Sequence, residues 1–172
     1  MTSLHLPVTI NLIGMPGAGK STVGVVLAKL AGLAFTDTDL AIQLREEATL
    51  QDIVERRGHL ALRQIEEEIL LAVDLEHAVI STGGSVVYSD AIMQRLREAG
   101  PVIYLCTDLA TLERRVAASP LRGIASDASQ SFADVYAERT PLYERYADIT
   151  IDAGDSSADS VATRILAALS QG

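Results

Sequence analysis

The 172-residue chain has no tryptophan, two phenylalanines and five tyrosines, so its core must be assembled from aliphatic side chains. A hydrophobic fraction of 48% with only 4% aromatic residues suits parallel strands buried by helices on both faces. There is one cysteine, Cys106; it excludes an internal disulfide and, at the end of an expected strand, reads as a small buried hydrophobe. The three histidines His5, His59 and His77 are scattered and lack the spacing of a zinc site. Basic residues are in deficit, 14 Lys and Arg against 23 Asp and Glu for a formal charge of -9. That balance would repel a phosphate backbone and argues against nucleic acid as substrate or partner. No apolar run approaches the roughly 18 residues of a membrane span, and no basic start leads into a signal-like apolar stretch. The cytoplasm is the expected compartment. The length suits one domain with a sizeable core and is short for two, so residues 1–172 read as a single α/β domain.

What the chain does have is a phosphate-binding pattern. Gly14-Met15-Pro16-Gly17-Ala18-Gly19-Lys20-Ser21 fits G-x-x-x-x-G-K-[ST]. The apolar run at residues 8–13 precedes it, and residues 21–30 follow with Val23, Val26, Leu27 and Leu30 at helical spacing. Strand, loop and helix is the context this pattern requires. Glycines let successive N–H groups turn inward, and the helix start adds the positive end of its dipole to the same spot. Gly17, Ala18, Gly19, Lys20, Ser21 and Thr22 are the candidate nucleotide-binding residues. Lys20 is placed to reach the β- and γ-phosphates and the Ser21 hydroxyl to ligate Mg²⁺, so ATP and Mg²⁺ are the expected cofactors.

A short strand is expected at residues 33–36, running out into Asp37-Thr38-Asp39. In an open parallel sheet ligands gather at the carboxyl ends of strands. If the strand persisted, alternation would put both acids on one side, one for Mg²⁺ and the other for a substrate hydroxyl. Equally, one of them could simply cap the next helix. Helices follow at 40–47, 50–57 and 60–75. Within the last, Arg63 lies three residues before Glu66, which allows an exposed ion pair as readily as an anion-binding arginine. The strand at 78–80 leads into Ser81-Thr82-Gly83-Gly84-Ser85, where paired glycines permit a ligand close to backbone amides or merely make a turn. A helix at 90–98, a strand at 102–106 and a helix at 108–116 carrying Arg114 and Arg115 come next. Residues 117–131 lose apolar periodicity and read as a mobile lid. Such a lid can exclude water and deliver an arginine, Arg122, to a developing charge, the alternative being a solvent-exposed side chain. The helix at 132–146 contains Pro141, which implies a kink or break that would turn Arg139 inward. A strand at 148–152 and a helix at 160–169 complete five strands with helices between them.

In this order the motifs resemble those of the shikimate kinase family over essentially the whole length. They are the loop Gly14 to Ser21, Asp37 and Asp39, Gly58-x-x-x-Leu62-Arg63-x-x-Glu66, Gly83-Gly84, Arg122, and Glu138-Arg139-x-Pro141-Leu142-Tyr143. The resemblance implies a three-layer α/β/α P-loop fold with a five-stranded parallel sheet, substrate-binding helices at about 40–75 and a lid at about 117–131. It implies ATP-dependent phosphorylation of a hydroxyl on a small carboxylic acid, shikimate first and homoserine or a sugar acid as the alternative. By the same resemblance Asp37 matches the magnesium-associated acid and Asp39 the acid at the reacting hydroxyl. Arg63 and Arg139 match the carboxylate clamp, Gly83 and Gly84 the glycines facing substrate, Arg115 an arginine beside the adenine, and Arg122 the lid arginine. The catalytic set would then be Lys20, Asp39 and Arg122, in a chain expected to act as a monomer. Departures from the family pattern gather around the acceptor. Ser85 replaces a third glycine, Val54 and Leu62 replace phenylalanines that flank the ring, and Arg122-Gly123-Ile124 stands where Arg-Pro-Leu is usual.

Overall fold

The most apolar stretches of the chain make the inner strands of one sheet. The computed structural model describes residues 9–119 and 123–171. Strands β1 (Ile10–Ile13), β3 (Ala78–Ser81) and β4 (Val102–Cys106) are buried along almost their whole length, whereas β2 (Ala34–Asp37) and β5 (Ile149–Asp152) are partly exposed. All neighbours pair in parallel in the order β2-β3-β1-β4-β5. Inner strands carry Val, Ile and Leu at successive positions because both of their faces are covered. The edges tolerate Thr36, Asp37, Thr150 and Asp152 because one side of each is open.

Helix α1 (Lys20–Ala31) packs with α8 (Ala158–Leu169), and together they lie along β1, β2, β3 and β5. Helix α5 (Asp90–Ala99) meets β1, and α7 (Phe132–Tyr146) meets β4. Helix α6 (Leu109–Ala117) packs beside α7. Helices α2 (Thr38–Glu46), α3 (Leu50–Arg57) and α4 (His59–Ala72) form a separate group beyond the sheet. Their own small core consists of Ile42, Ile53, Leu62, Ile65 and Ile69, joined by Ala125 from the segment before α7. The chain leaves β1 toward β2 and β3 on one side and later crosses to β4 and β5 on the other. The carboxyl end of β1 is therefore the switch point, where an open α/β sheet leaves a crevice for ligands.

Three local features differ from the sequence expectation. The strand β2 ends at Asp37 and α2 begins at Thr38, so Asp39 sits in a first helical turn rather than continuing an alternating strand. Residues Val86–Tyr88 make a one-turn 3₁₀ helix between β3 and α5. Helix α7 runs through Pro141 without a break. Proline removes the donor for the carbonyl one turn earlier, and Thr140 Oγ1 bonds the adjacent Tyr136 carbonyl at 2.7 Å. No helix among the described residues is long and apolar enough to cross a membrane.

Gly100, between α5 and β4, has no room for a side chain, because a Cβ there would overlap the carbonyl oxygen of Thr9. Gly100→Ala therefore forces two backbone segments apart and should cost about 1–3 kcal/mol of stability. Urea denaturation measures the loss, and an unchanged midpoint would contradict this packing.

Candidate active site

The loop between β1 and α1 wraps a buried lysine. Gly19 caps α1 in the left-handed region at φ 92°, a conformation that glycine adopts without a Cβ clash. Lys20 is buried, and its Nζ donates to the carbonyls of Gly14 at 2.7 Å and Met15 at 2.9 Å. Next to it, Ser21 Oγ donates to Asp37 Oδ2 at 2.5 Å. The other oxygen of Asp37 accepts the backbone N–H groups of Asp39 at 2.9 Å and Leu40 at 3.2 Å. Capping and contact with the loop serine are thus both performed by Asp37, one by each oxygen. The hydroxyl and the carboxylate together offer the hard oxygen donors that suit Mg²⁺. Among the described residues no cluster of three or more His, Cys, Asp or Glu could hold a metal by itself. An ion here would draw its remaining ligands from phosphate and water, as Mg²⁺ commonly does.

Past Lys20 and Asp37 the same cleft, about 910 Å³ in volume, is lined by Asp39, Leu62, Glu66, Gly83, Gly84 and Arg139. A Cβ on Gly83 would overlap Glu66 Oε1 and stand 3.2 Å from Asp39 Oδ1, while one on Gly84 would stand 2.8 Å from Arg139 Nη1. The two glycines are what allow charged side chains to lie directly on the backbone. The Gly83 N–H is held by Thr38 Oγ1 at 3.1 Å.

Arg139 on α7 lines this cleft and meets Arg63 of α4, which lines a neighbouring pocket, although 76 positions separate the two in sequence. Arg63 Nε and Arg139 Nη2 both donate to the carbonyl oxygen of Ala125, at 3.0 and 2.9 Å. Arg63 lies 4.0 Å above the ring of Tyr88, a cation–π contact, and Arg139 Nε donates to the Tyr88 hydroxyl at 3.3 Å. That hydroxyl donates in turn to Glu138, which holds the Glu138 carboxyl below its ordinary range. Burial is the main cause that lowers the Arg63 pKa from its usual value, with the neighbouring Arg139 charge adding to it. Arg139 is only 1% exposed, so its charge depends on these acceptors.

The pairing of Arg63 with Glu66 that the sequence allows is not among the ion pairs of the described residues. Glu66 instead accepts from Ser85 Oγ at 2.6 Å. Its carboxyl is raised from 4.5 to about 7, first by burial and second by the charge of Asp39. Leu62 and Val54 belong to the small aliphatic core of α2 to α4, Leu62 reaching the cleft directly. At the opposite end, Arg115 donates to the carbonyls of Gly17 at 3.2 Å and of Gly154. Arg122 lies outside the described residues. Tyr88 and Ala125 carried no signal in the sequence: one sits in a single 3₁₀ turn, and the other contributes only its main chain to the arginines.

The sequence profile of the shikimate kinase family matches residues 16–170. A shikimate kinase 2 of Enterobacter sp. (strain 638) is 37% identical over 165 residues, covering 93% of this chain and 94% of its own. A Mycobacterium leprae shikimate kinase is 38% identical over 162 residues, covering 92% of this chain and 80% of its own. Among solved structures, shikimate kinase from Acinetobacter baumannii in complex with shikimate superposes with a TM-score of 0.83 at 31% identity, over 96% of this chain and 94% of that one.

The folded protein holds the Glu66 proton more tightly than the unfolded chain does. Its contribution to stability is therefore complete below about pH 4.5 and is lost as pH rises through about 7. The loss from this group should be on the order of 3 kcal/mol. Urea unfolding of Glu66→Gln across that window should show a flatter pH dependence than wild type. An identical slope would place the titrating group elsewhere.

Proposed function

The chain belongs to the shikimate kinase family, and we propose that it transfers the γ-phosphoryl group of ATP to a hydroxyl of shikimate. The observation that carries this reading is that one cleft is lined by both the glycine-rich loop with Lys20 and the buried Arg139, with a second arginine, Arg63, bonded to the same carbonyl oxygen as the first. Small hydroxy acids and nucleoside triphosphates are the ligands that need both ends at once.

In this mechanism the loop N–H groups of residues 17–22 and the Lys20 ammonium bind the phosphates. Lys20 now rests on two neutral carbonyls, and an anionic oxygen is the stronger acceptor for it. Arg63 and Arg139 take the acceptor carboxylate, whose planar oxygens match guanidinium forks. With the acid anchored there, Gly83 and Gly84 let the acceptor approach the backbone, and Asp39 orients the attacking hydroxyl and receives its proton. The hydroxyl oxygen forms the new P–O bond as the bond to the ADP oxygen breaks, so catalysis is mainly positioning and charge stabilisation. Ser21 and Asp37 would hold Mg²⁺, which neutralises charge on the phosphates when bound. Arg115 is assigned to the adenine end and Arg122 to the transferring phosphoryl group. A monomer is the proposed catalytic unit. Dependence on ATP and the single cysteine agree with a cytoplasmic setting.

A coupled ADP-release assay with Mg²⁺-ATP and shikimate, homoserine or gluconate tests the reading. Turnover should require shikimate, and Asp39→Ala should lower kcat by about a hundredfold or more; turnover with homoserine or gluconate alone would overturn the assignment. Arg139→Lys should raise KM for shikimate by about tenfold or more, since one point charge replaces a fork, with KM for ATP unchanged. Equal loss on both substrates would remove Arg139 from the acceptor end.

A further inference from the structure

Tyr88 meets both arginines, and with different parts of its side chain. Its ring carries the Arg63 guanidinium at 4.0 Å, a cation–π contact. Its hydroxyl accepts from Arg139 Nε at 3.3 Å and donates to Glu138. Gln130 Nε2 donates to the other oxygen of Glu138 at 2.9 Å, so that carboxylate is held from two sides. A phenol has one proton to give, and with it committed to Glu138 the lone pairs are left for Arg139.

These contacts decide which nitrogens of each guanidinium are already spent. Arg139 uses Nε on Tyr88 and Nη2 on the Ala125 carbonyl. Its third nitrogen, Nη1, stands over Gly84 in the cleft, where an added Cβ would come within 2.8 Å of it. Arg63 is hydrogen-bonded through Nε to the same carbonyl. Another position competes for Arg63. With Tyr88, Glu66 and Glu67 it lines a second cavity of about 300 Å³, and those two acids follow it on α4 at the three- and four-residue spacings of helical ion pairs. Neither pair is among the ion pairs of the described residues. The ring of Tyr88 gives the guanidinium a seat beside Arg139 instead.

Building on the shikimate kinase reading, we infer that Tyr88 is a positioning residue for the acceptor carboxylate: its ring seats Arg63 next to Arg139, and its hydroxyl turns Arg139 so that Nη1 is the nitrogen presented to the acid. Arg63 then offers the end of its fork and Arg139 one further donor. Donors fixed in this way favour a carboxylate over a carboxamide of the same shape, because the amide nitrogen would set its own hydrogens against theirs. Without the ring, Arg63 is free to turn to the acids of its own helix. Without the hydroxyl, the Nε of a buried arginine loses its acceptor.

The test measures kcat and KM with Mg²⁺-ATP for shikimate and its carboxamide in wild type, Tyr88→Phe and Tyr88→Leu. Wild type should favour the acid. Tyr88→Phe keeps the ring and should raise KM for shikimate about fivefold. Tyr88→Leu loses ring and hydroxyl together and should raise it about thirtyfold or more. In both variants the preference for shikimate over the carboxamide should shrink in step, with KM for ATP near wild type. A wild-type KM for shikimate in Tyr88→Leu would overturn the inference. So would an undiminished preference for the acid, wild type that treats the two acceptors alike, or a parallel loss on both acceptors and ATP, the mark of a merely structural residue. Equal KM values in the two variants would overturn the seat assigned to the ring. Failure of unsubstituted protein to use shikimate at all would instead overturn the family reading and take this inference with it; that outcome is visible before any variant is made.

Discussion

Two guanidinium groups share one carbonyl oxygen, that of Ala125, beside the small core of α2 to α4. Like charges this close repel, and burial denies Arg139 water, so the arrangement depends on acceptors placed between and beside them. The Ala125 carbonyl, the face of Tyr88 and the Tyr88 hydroxyl are those acceptors. Through them α4, α7, the one-turn helix Val86–Tyr88 and the segment before α7 are tied at one point. The carboxylates of Glu138 and Glu66 add negative charge near the pair.

The sheet explains why this point lies within reach of a nucleotide. Because β1 is central and the chain departs from it to both sides, its carboxyl end opens into a crevice rather than meeting a tight connection. The phosphate loop fills one flank of that crevice. The turn after β3, carrying Gly83 and Gly84, fills the other. Asp37 joins the two by capping α2 with one oxygen and bonding the loop serine with the other. A change at Asp37 would disturb the start of α2 and the loop together, so the acid that would help hold the metal also sets the position of Asp39.

The parts of this arrangement that were legible in the sequence are those written in local patterns. Apolar runs marked the strands, and the glycine spacing before Lys20 marked the loop, because each depends on a few consecutive residues. The family motifs extended this to Arg63, Gly83, Gly84 and Arg139. Whether the strand reached Asp39 was left open, since nothing in Asp-Thr-Asp says that the helix begins between the acids. Tyr88 was silent because a single 3₁₀ turn has no periodicity to read. Ala125 was silent for a different reason: a main-chain carbonyl can be supplied by any residue. The choice of Ser85 over Arg63 as partner for Glu66 is tertiary, settled by where α4 meets the turn after β3. Ser85 itself was visible as a departure, but its consequence was not.

Phosphorus NMR of the products tests the central claim most directly, namely that one cleft joins ATP to an acid held by paired arginines. With Mg²⁺-ATP and shikimate the account predicts one phosphate monoester on shikimate for each ADP formed, with no inorganic phosphate in step with ADP. ADP accompanied by inorganic phosphate alone, or formed at the same rate without shikimate, would contradict it.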